Sequence, residues 1–376
     1  MIAPFPHLPM THALDQARAF FHQGVAAYEA GRLEQAERDF AAALALAPGR
    51  PSVLTNLGAV HLKLGRLQDA LDLLEEALAA EPDNLEAVSH AAVASAELGR
   101  IERAVTLFQR AVTLDPARPI AWTQLGQALK EAGRAAEAAT AFREALARGG
   151  DASLNAFYLA AVTGEAAPSH APRAYVETLF DNYAAAFDQH LVAGLGYDAP
   201  RRLLRPLADA GTQVTHALDL GCGTGLCGPL LRPLAQRVTG VDLSQAMLDR
   251  ARATGAYDEL VQADAVAFLA ASRDPLDLVV AADVFIYIGA LDEVFASVAA
   301  RMPAGALFVF SVEEPADDEP ALALRASLRY AHAETYVRRL ADAHGFTVEA
   351  LDRAPVRHDQ QVAVPGLYVR LRRNGR

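Results

Sequence analysis

The chain has 376 residues, enough for about two domains. Its 34 basic and 46 acidic residues give a formal charge of -12, and both halves are acidic, with 14 basic against 19 acidic residues before Gly164 and 20 against 27 from there on. Neither half has the basic surplus needed to neutralise phosphates, so a nucleic-acid partner is not expected. No run of 18 apolar residues occurs, and Met1 to Thr11 lack a cationic start followed by an apolar core, so no membrane partner is expected either. Only two cysteines are present, Cys222 and Cys227, with four residues between them. They read as small fillers, with no second pair or nearby histidine to make a metal site, and such sparse cysteine suits a cytoplasmic location.

Laid over itself at a period of about 34 residues, the first half repeats over residues 17–152. Gly24, Gly58 and Gly126 fall in register, with Ala92 in the third copy. Gly31, Gly65, Gly99 and Gly133 align next, then Ala36, Ala70, Ala104 and Ala138, then Phe40, Leu74, Phe108 and Phe142. Pro48, Pro82 and Pro116 close three copies, where proline stops a helix. The pattern resembles the tetratricopeptide repeat, which implies an all-α solenoid over 13–163: four helix pairs and a capping helix at residues 153–163. The concave face should carry Phe21, Val25, Tyr28, Thr55, Ala59, Leu62, Ser89, Val93, Thr123 and Gln127. These are small or apolar, unlike the Lys and Asn that clamp a terminal carboxylate in some such domains. A groove for a protein partner and a purely supporting or dimerising role both fit.

Residues 164–172, rich in proline and glycine, read as a linker ahead of a second domain at 173–376. Helices are expected at Arg173 to Leu191 and at Ala199 to Ala210. Val214 to Leu220 has the composition of a buried parallel strand, and Leu226 to Leu234 that of a following helix. Gly221-Cys222-Gly223-Thr224-Gly225 therefore occupies a strand-to-helix turn, where glycine permits positive φ and lets a ligand approach the backbone. Asp219, at the strand end, would repel a pyrophosphate but would welcome S-adenosylmethionine, which carries an ammonium and a sulfonium. A second strand, Arg237 to Val241, ends in Asp242, placed to accept from both ribose hydroxyls. A third, Glu259 to Gln262, leads to Asp264, which is suited to an adenine amino group.

Further strands are expected at Leu276 to Ala281, Ala306 to Val312, Thr347 to Asp352 and Leu367 to Leu371, with helices at Leu291 to Arg301 and Ala333 to His344. Alternation of this kind implies an α/β doubly wound, Rossmann-like sheet with ligands at its carboxyl edge. The fourth strand runs into Ala281-Ala282-Asp283-Val284-Phe285-Ile286-Tyr287. A lone aspartate there, without an acidic cluster, argues against a magnesium-dependent enzyme, and no metal site is expected. Glu313 and Glu314 either meet a cationic acceptor or face water.

The glycine turn with its downstream aspartates, Tyr175 to Tyr183 with Phe187 to Leu191, and Arg329 to His332 with Tyr336-Val337 together resemble the class I S-adenosylmethionine-dependent methyltransferases. Within these, the chain is similar to bacterial enzymes preceded by tetratricopeptide repeats. The resemblance implies methyl transfer to a small-molecule or protein acceptor and an antiparallel last strand. Expected cofactor contacts are Tyr183, Asp219, Gly221, Gly223, Gly225, Asp242, Leu243, Met247, Asp264, Ala265 and Ala282, with Tyr183, Phe187 and His190 as a lid. His332, Tyr287 and His190 are the catalytic candidates, with His332 as base and Tyr330 beside it in an insertion at Pro315 to Tyr336. Two rivals stand beside this reading: a non-catalytic scaffold that keeps the fold, and a nicotinamide-dependent oxidoreductase.

Overall fold

The computed structural model describes residues 10–165, 167–183, 197–271, 273–359 and 362–375. The chain divides after Thr163 into two compact units.

The first unit is all helix: α1 (Met10–Glu29), α2 (Leu33–Leu46), α3 (Pro51–Lys63), α4 (Leu67–Ala80), α5 (Leu85–Glu97), α6 (Ile101–Leu114), α7 (Pro119–Glu131), α8 (Ala135–Ala147) and α9 (Ala152–Thr163). The recurring glycine turns the chain between paired helices. Gly31, Gly65, Gly99 and Gly133 all have φ of 72–73°, and the arginine after each donates back into the first helix, as Arg32 does to the Ala27 carbonyl at 2.9 Å. That is a helix stop only a residue tolerant of positive φ makes cheaply. The other aligned glycines are small because large side chains face them. A Cβ on Gly58 would lie 2.8 Å from Leu74, and one on Gly126 would lie 2.5 Å from Phe142.

At the last repeat, groove positions are taken by the capping helix. Thr123 donates to Asn155 at 2.9 Å and Gln127 to the Tyr158 hydroxyl at 2.7 Å, while Thr55 and Ala59 are buried. The available groove is thus shorter than the sequence positions suggest.

The second unit begins with α10 (Arg173–Tyr183) and α11 (Ala199–Asp209). Its sheet runs in the order β3 (Glu259–Gln262), β2 (Ala235–Asp242), β1 (Val214–Leu220), β4 (Leu278–Ala281), β5 (Leu307–Glu313), β11 (Gly366–Arg373), β8 (Phe346–Arg353). The first five are parallel, and β11 is antiparallel to both neighbours. Alternate residues build separate layers, because side chains on a strand point to opposite faces. Leu218, Val279, Phe308 and Phe310 join one core, whereas Ala217, Leu278, Val280, Leu307 and Val309 join the other. Burial on both faces explains why these strands are continuously apolar. Strand order reverses between β1 and β4, which opens a crevice at their carboxyl ends.

Between the strands lie α12 (Gly228–Leu231), α13 (Gln245–Ala253), α14 (Ala265–Ala271), α15 (Asp292–Arg301) and α16 (Glu334–Ala343). The helix after the glycine turn is only four residues long, because Pro229 lies in its first turn and Pro233 blocks its extension. The expected insertion after β5 contains a hairpin, β6 (Leu322–Leu324) and β7 (Tyr330–His332), and β7 pairs with β5 at Glu313. A second hairpin joins β9 (Arg357–Asp359) and β10 (Val362–Val364). Among the described residues no helix is long and apolar enough to cross a membrane.

Candidate active site

A cleft of about 1660 Å³ opens at the carboxyl edge of the second unit's sheet, around the switch between β1 and β4. That is more than the few hundred to roughly 1,000 Å³ usual for one small ligand, leaving room for two reactants.

Its floor is the glycine turn. Gly221, Gly223 and Gly225 all have positive φ, at 67°, 52° and 90°. At Gly221 a Cβ would lie 2.5 Å from Val284, whereas at Gly223 it would meet nothing within 4 Å, so the space above the Gly223 backbone is open. The Cys222 amide donates to the Val241 carbonyl at 2.9 Å, tying the turn to the end of β2.

Carboxylates from three strand ends surround this turn. Asp219 is 1% exposed and accepts from the Tyr257 hydroxyl at 2.6 Å; burial raises its carboxyl to about 7, with that hydrogen bond opposing. Asp242 accepts the Gly223 amide on one oxygen at 2.8 Å and the Ser244 amide on the other at 2.9 Å. Burial pushes its pKa up, against these bonds. A carboxylate offers about four acceptor positions, so both oxygens retain capacity for ligand hydroxyls. Asp264 uses one oxygen to cap α14 through the Ala267 amide at 2.9 Å. All three line the cleft with Gly221, Gly223, Leu243, Ala265, Ala282 and Tyr287. This set suits a ligand carrying positive charge and hydroxyl donors. Cys222 and Cys227 are free, buried thiols beside it, and burial holds both well above the usual thiol range.

Other candidates fall elsewhere. Gly225 and Met247 are not on the cleft wall: Gly225 lies against Ala251, and Met247 is 1% exposed beneath the Ser244 cap of α13. His190 and Phe187 lie outside the described residues, and of Tyr183 only the backbone at the end of α10 is described.

His332, expected as a base, lies away from the cleft wall. Its side chain is fully enclosed, Nε2 donates to the Gly289 carbonyl at 2.9 Å, and burial lowers its pKa to about 4. Tyr330 points the same way, since residues two apart on β7 share a face. Its hydroxyl donates to the Pro168 carbonyl at 2.7 Å, and its ring fills the space a Gly289 side chain would need. Both residues hold the loop after β4 and are absent from the cleft wall.

Several cleft residues carry no signal in the sequence. Ser169, His170 and Ala171, in the expected linker, form a wall by pairing with 287–290, including Ala171 to the Tyr287 carbonyl at 2.9 Å. Arg357 reaches across the ends of β4 and β5, donating to Asp283 at 3.1 and 3.3 Å and to Glu313. Asp283 has φ 61°, a left-handed conformation rare for a residue with a side chain. Its pKa is raised by burial and opposed by Arg357. Arg329 also lines the cleft and hydrogen-bonds Tyr287. Burial pushes the Tyr287 hydroxyl up to about 12, and its ring meets Phe180 edge-on at 5.4 Å. Tyr287 thus stays protonated at neutral pH.

Comparison with known proteins adds family matches. Residues 217–305 match the family described as methyltransferase domain, and residues 15–83, 55–119 and 95–161 match families described as tetratricopeptide repeat. No curated protein matches the chain. Among solved structures, a putative S-adenosylmethionine dependent methyltransferase from Listeria monocytogenes is 19% identical, covering 47% of this chain and 98% of its own, with a TM-score of 0.39. MamA from Desulfovibrio magneticus RS-1 is 18% identical over 40% of this chain and 85% of its own, with a TM-score of 0.38. YrrB, a TPR protein with an unusual peptide-binding site, is 24% identical over 42% of this chain and 82% of its own, with a TM-score of 0.37.

Proposed function

From a chain that carries a methyltransferase domain at residues 217–305 behind tetratricopeptide repeats, we propose that the protein transfers methyl groups from S-adenosylmethionine to a small-molecule or protein acceptor. The observation that carries this reading is the convergence of Asp219, Asp242 and Asp264 on one cleft beside an open glycine backbone. In it Asp219 faces the cofactor's ammonium, Asp242 its ribose hydroxyls and Asp264 its adenine amino group. When bound, S-adenosylmethionine supplies a carbon activated by its sulfonium, and the acceptor's nucleophile gains that methyl as the carbon–sulfur bond breaks toward sulfur. The protein's task is alignment, a contribution worth roughly 7 to 11 kcal/mol in favourable cases. Tyr287 serves as a hydrogen-bond donor, and Asp283 is the carboxylate on the acceptor side that takes a proton when the nucleophile carries one.

A nicotinamide-dependent oxidoreductase fits less well. A pyrophosphate favours the N-terminal end of a long helix, and here the turn leads into a four-residue helix behind a buried carboxylate. The repeat domain is proposed to recruit a partner or substrate, and two free thiols suit a cytoplasmic setting. Isothermal titration with S-adenosylhomocysteine and with NAD tests the reading: the former should bind and the latter should not, and binding of NAD alone would end it. Turnover with labelled methyl donor separates an enzyme from a scaffold that keeps the fold.

A further inference from the structure

Tyr257 lies between α13 and β3, and its ring packs against glycines of three other segments. A Cβ would lie 3.1 Å from that ring at Gly225, 2.6 Å at Gly228 and 2.9 Å at Gly240. Of the three only Gly225 has positive φ, so backbone conformation does not call for glycine at the start of α12 or within β2. The space occupied by the ring does. Gly240 is also the residue paired with Asp219 in the register of β1 and β2. Paired residues share a face of the sheet, so the missing side chain there leaves a slot that runs to the carboxylate. Through it the Tyr257 hydroxyl donates to Asp219 at 2.6 Å.

The surroundings of Asp219 give this bond its task. The other groups that face the carboxylate are the Cys227 thiol, which also donates to it, Cys222 on the glycine turn, Tyr197 ahead of α11 and Asp242 at the end of β2. Burial holds both thiols and Tyr197 well above their usual ranges, so they stay uncharged, and the charge of Asp242 opposes ionisation of Asp219. Hydrogen bonds to the ionised form are what work against burial, and the phenol is the stronger of the two donors. Burial keeps that phenol protonated, so it donates at every pH of interest. With one oxygen pinned, the other retains free acceptor positions in a fixed direction.

We propose that Tyr257 is a positioning residue for the cofactor: reaching Asp219 through the slot left by Gly225, Gly228 and Gly240, its hydroxyl holds one carboxylate oxygen and presents the other to the ammonium of S-adenosylmethionine. The proposal rests on the methyltransferase reading and adds the residue that prepares Asp219 for its ligand. It also gives a use to Gly225, the glycine of the turn that is absent from the cleft wall.

Titration calorimetry with S-adenosylhomocysteine from pH 6 to 8.5, on the full-length wild type, Y257F, D219N and the double variant, tests this. Y257F keeps the ring and removes only the donor, so the pH at which affinity levels off should rise by about one unit, the effect of one hydrogen bond to a charged group. Starting from a carboxyl at about 7, affinity should then fall roughly ninefold below wild type at pH 6 and less than about twofold at pH 8.5. In the D219N background the same change should alter affinity by less than about twofold at every pH, because Tyr257 acts through Asp219. An equal loss at all pH values, or an equal loss in the D219N background, is what a merely structural ring would give and would overturn the proposal. So would a Y257F profile that levels off at the wild-type pH, or a wild-type profile that is flat. Failure of the wild-type protein to bind S-adenosylhomocysteine at any pH would instead count against the methyltransferase reading beneath it.

Discussion

Asp219, one residue before the end of β1, is buried beside the glycine turn with one oxygen taken by Tyr257, and burial brings its carboxyl to about 7. A cationic ammonium binds the ionised form, so bound ligand lowers this pKa and binding releases a proton wherever the empty site is protonated. Affinity for S-adenosylhomocysteine should therefore rise about tenfold per pH unit up to pH 7 and level off above it. D219N should be weaker at pH 8 and lack this slope. Titration calorimetry from pH 5.5 to 8 reads both, and a flat wild-type profile would separate Asp219 from the ammonium. For Asp242, replacement by alanine removes the acceptor for the Gly223 and Ser244 amides as well as for the ribose. Weakening on the order of 1 to 3 kcal/mol is expected, and unchanged affinity would place the ribose elsewhere. His332 gives the contrasting case. H332A should lower stability by about 1 to 3 kcal/mol in urea, by stranding the Gly289 carbonyl, and leave S-adenosylhomocysteine affinity close to wild type. Loss of turnover with unchanged stability would return the histidine to the chemistry.

Among the elements, the repeat helices and the parallel strands form for different reasons and fail differently. Each helix pair closes over a small residue facing a large one, and the Gly126 position lies 2.5 Å from Phe142 by a hypothetical Cβ. G126L overpacks that contact and should cost about 1 to 3 kcal/mol, seen as a lower midpoint in denaturant. An unchanged midpoint would mean the pair is not closely packed there. The strand ends, by contrast, are held by long-range pairing. The loop after β4 is fastened by Tyr330, His332 and Tyr336 on one side and by Ser169 on the other, with Ser169 accepting the Gly289 and Ala290 amides at 2.8 Å. The hairpin, which joins the sheet through β5, and the segment before α10 therefore shape the cleft around the loop after β4.

Across the whole molecule, acidity in both halves predicts that labelled duplex DNA or tRNA shows no salt-dependent binding by fluorescence anisotropy. A micromolar complex weakening steeply with salt would reveal a basic surface that the totals hide. The architecture was legible where sequence repeats or runs long enough to carry a period: the glycine and alanine registers specify the solenoid, and Val214–Leu220 is read with the boundaries it has in the structure. The three aspartates were readable because each lies within two residues of a strand's carboxyl end. What the sequence hides is whatever depends on distance. Arg357 meets Asp283 and Glu313 across separations of 74 and 44 residues, and strands of three residues such as β6 and β9 are too short to show alternation. His332 lies on such a strand, so its inward face is invisible until Tyr330 is seen buried beside it.

A crystal structure of the protein with S-adenosylhomocysteine bears most directly on the cleft. The ligand should lie over Gly223 with its ribose hydroxyls on Asp242, its ammonium toward Asp219 and its adenine beside Asp264. Density for the ligand outside this cleft, or a pose that leaves Asp242 without a ribose contact, would contradict it.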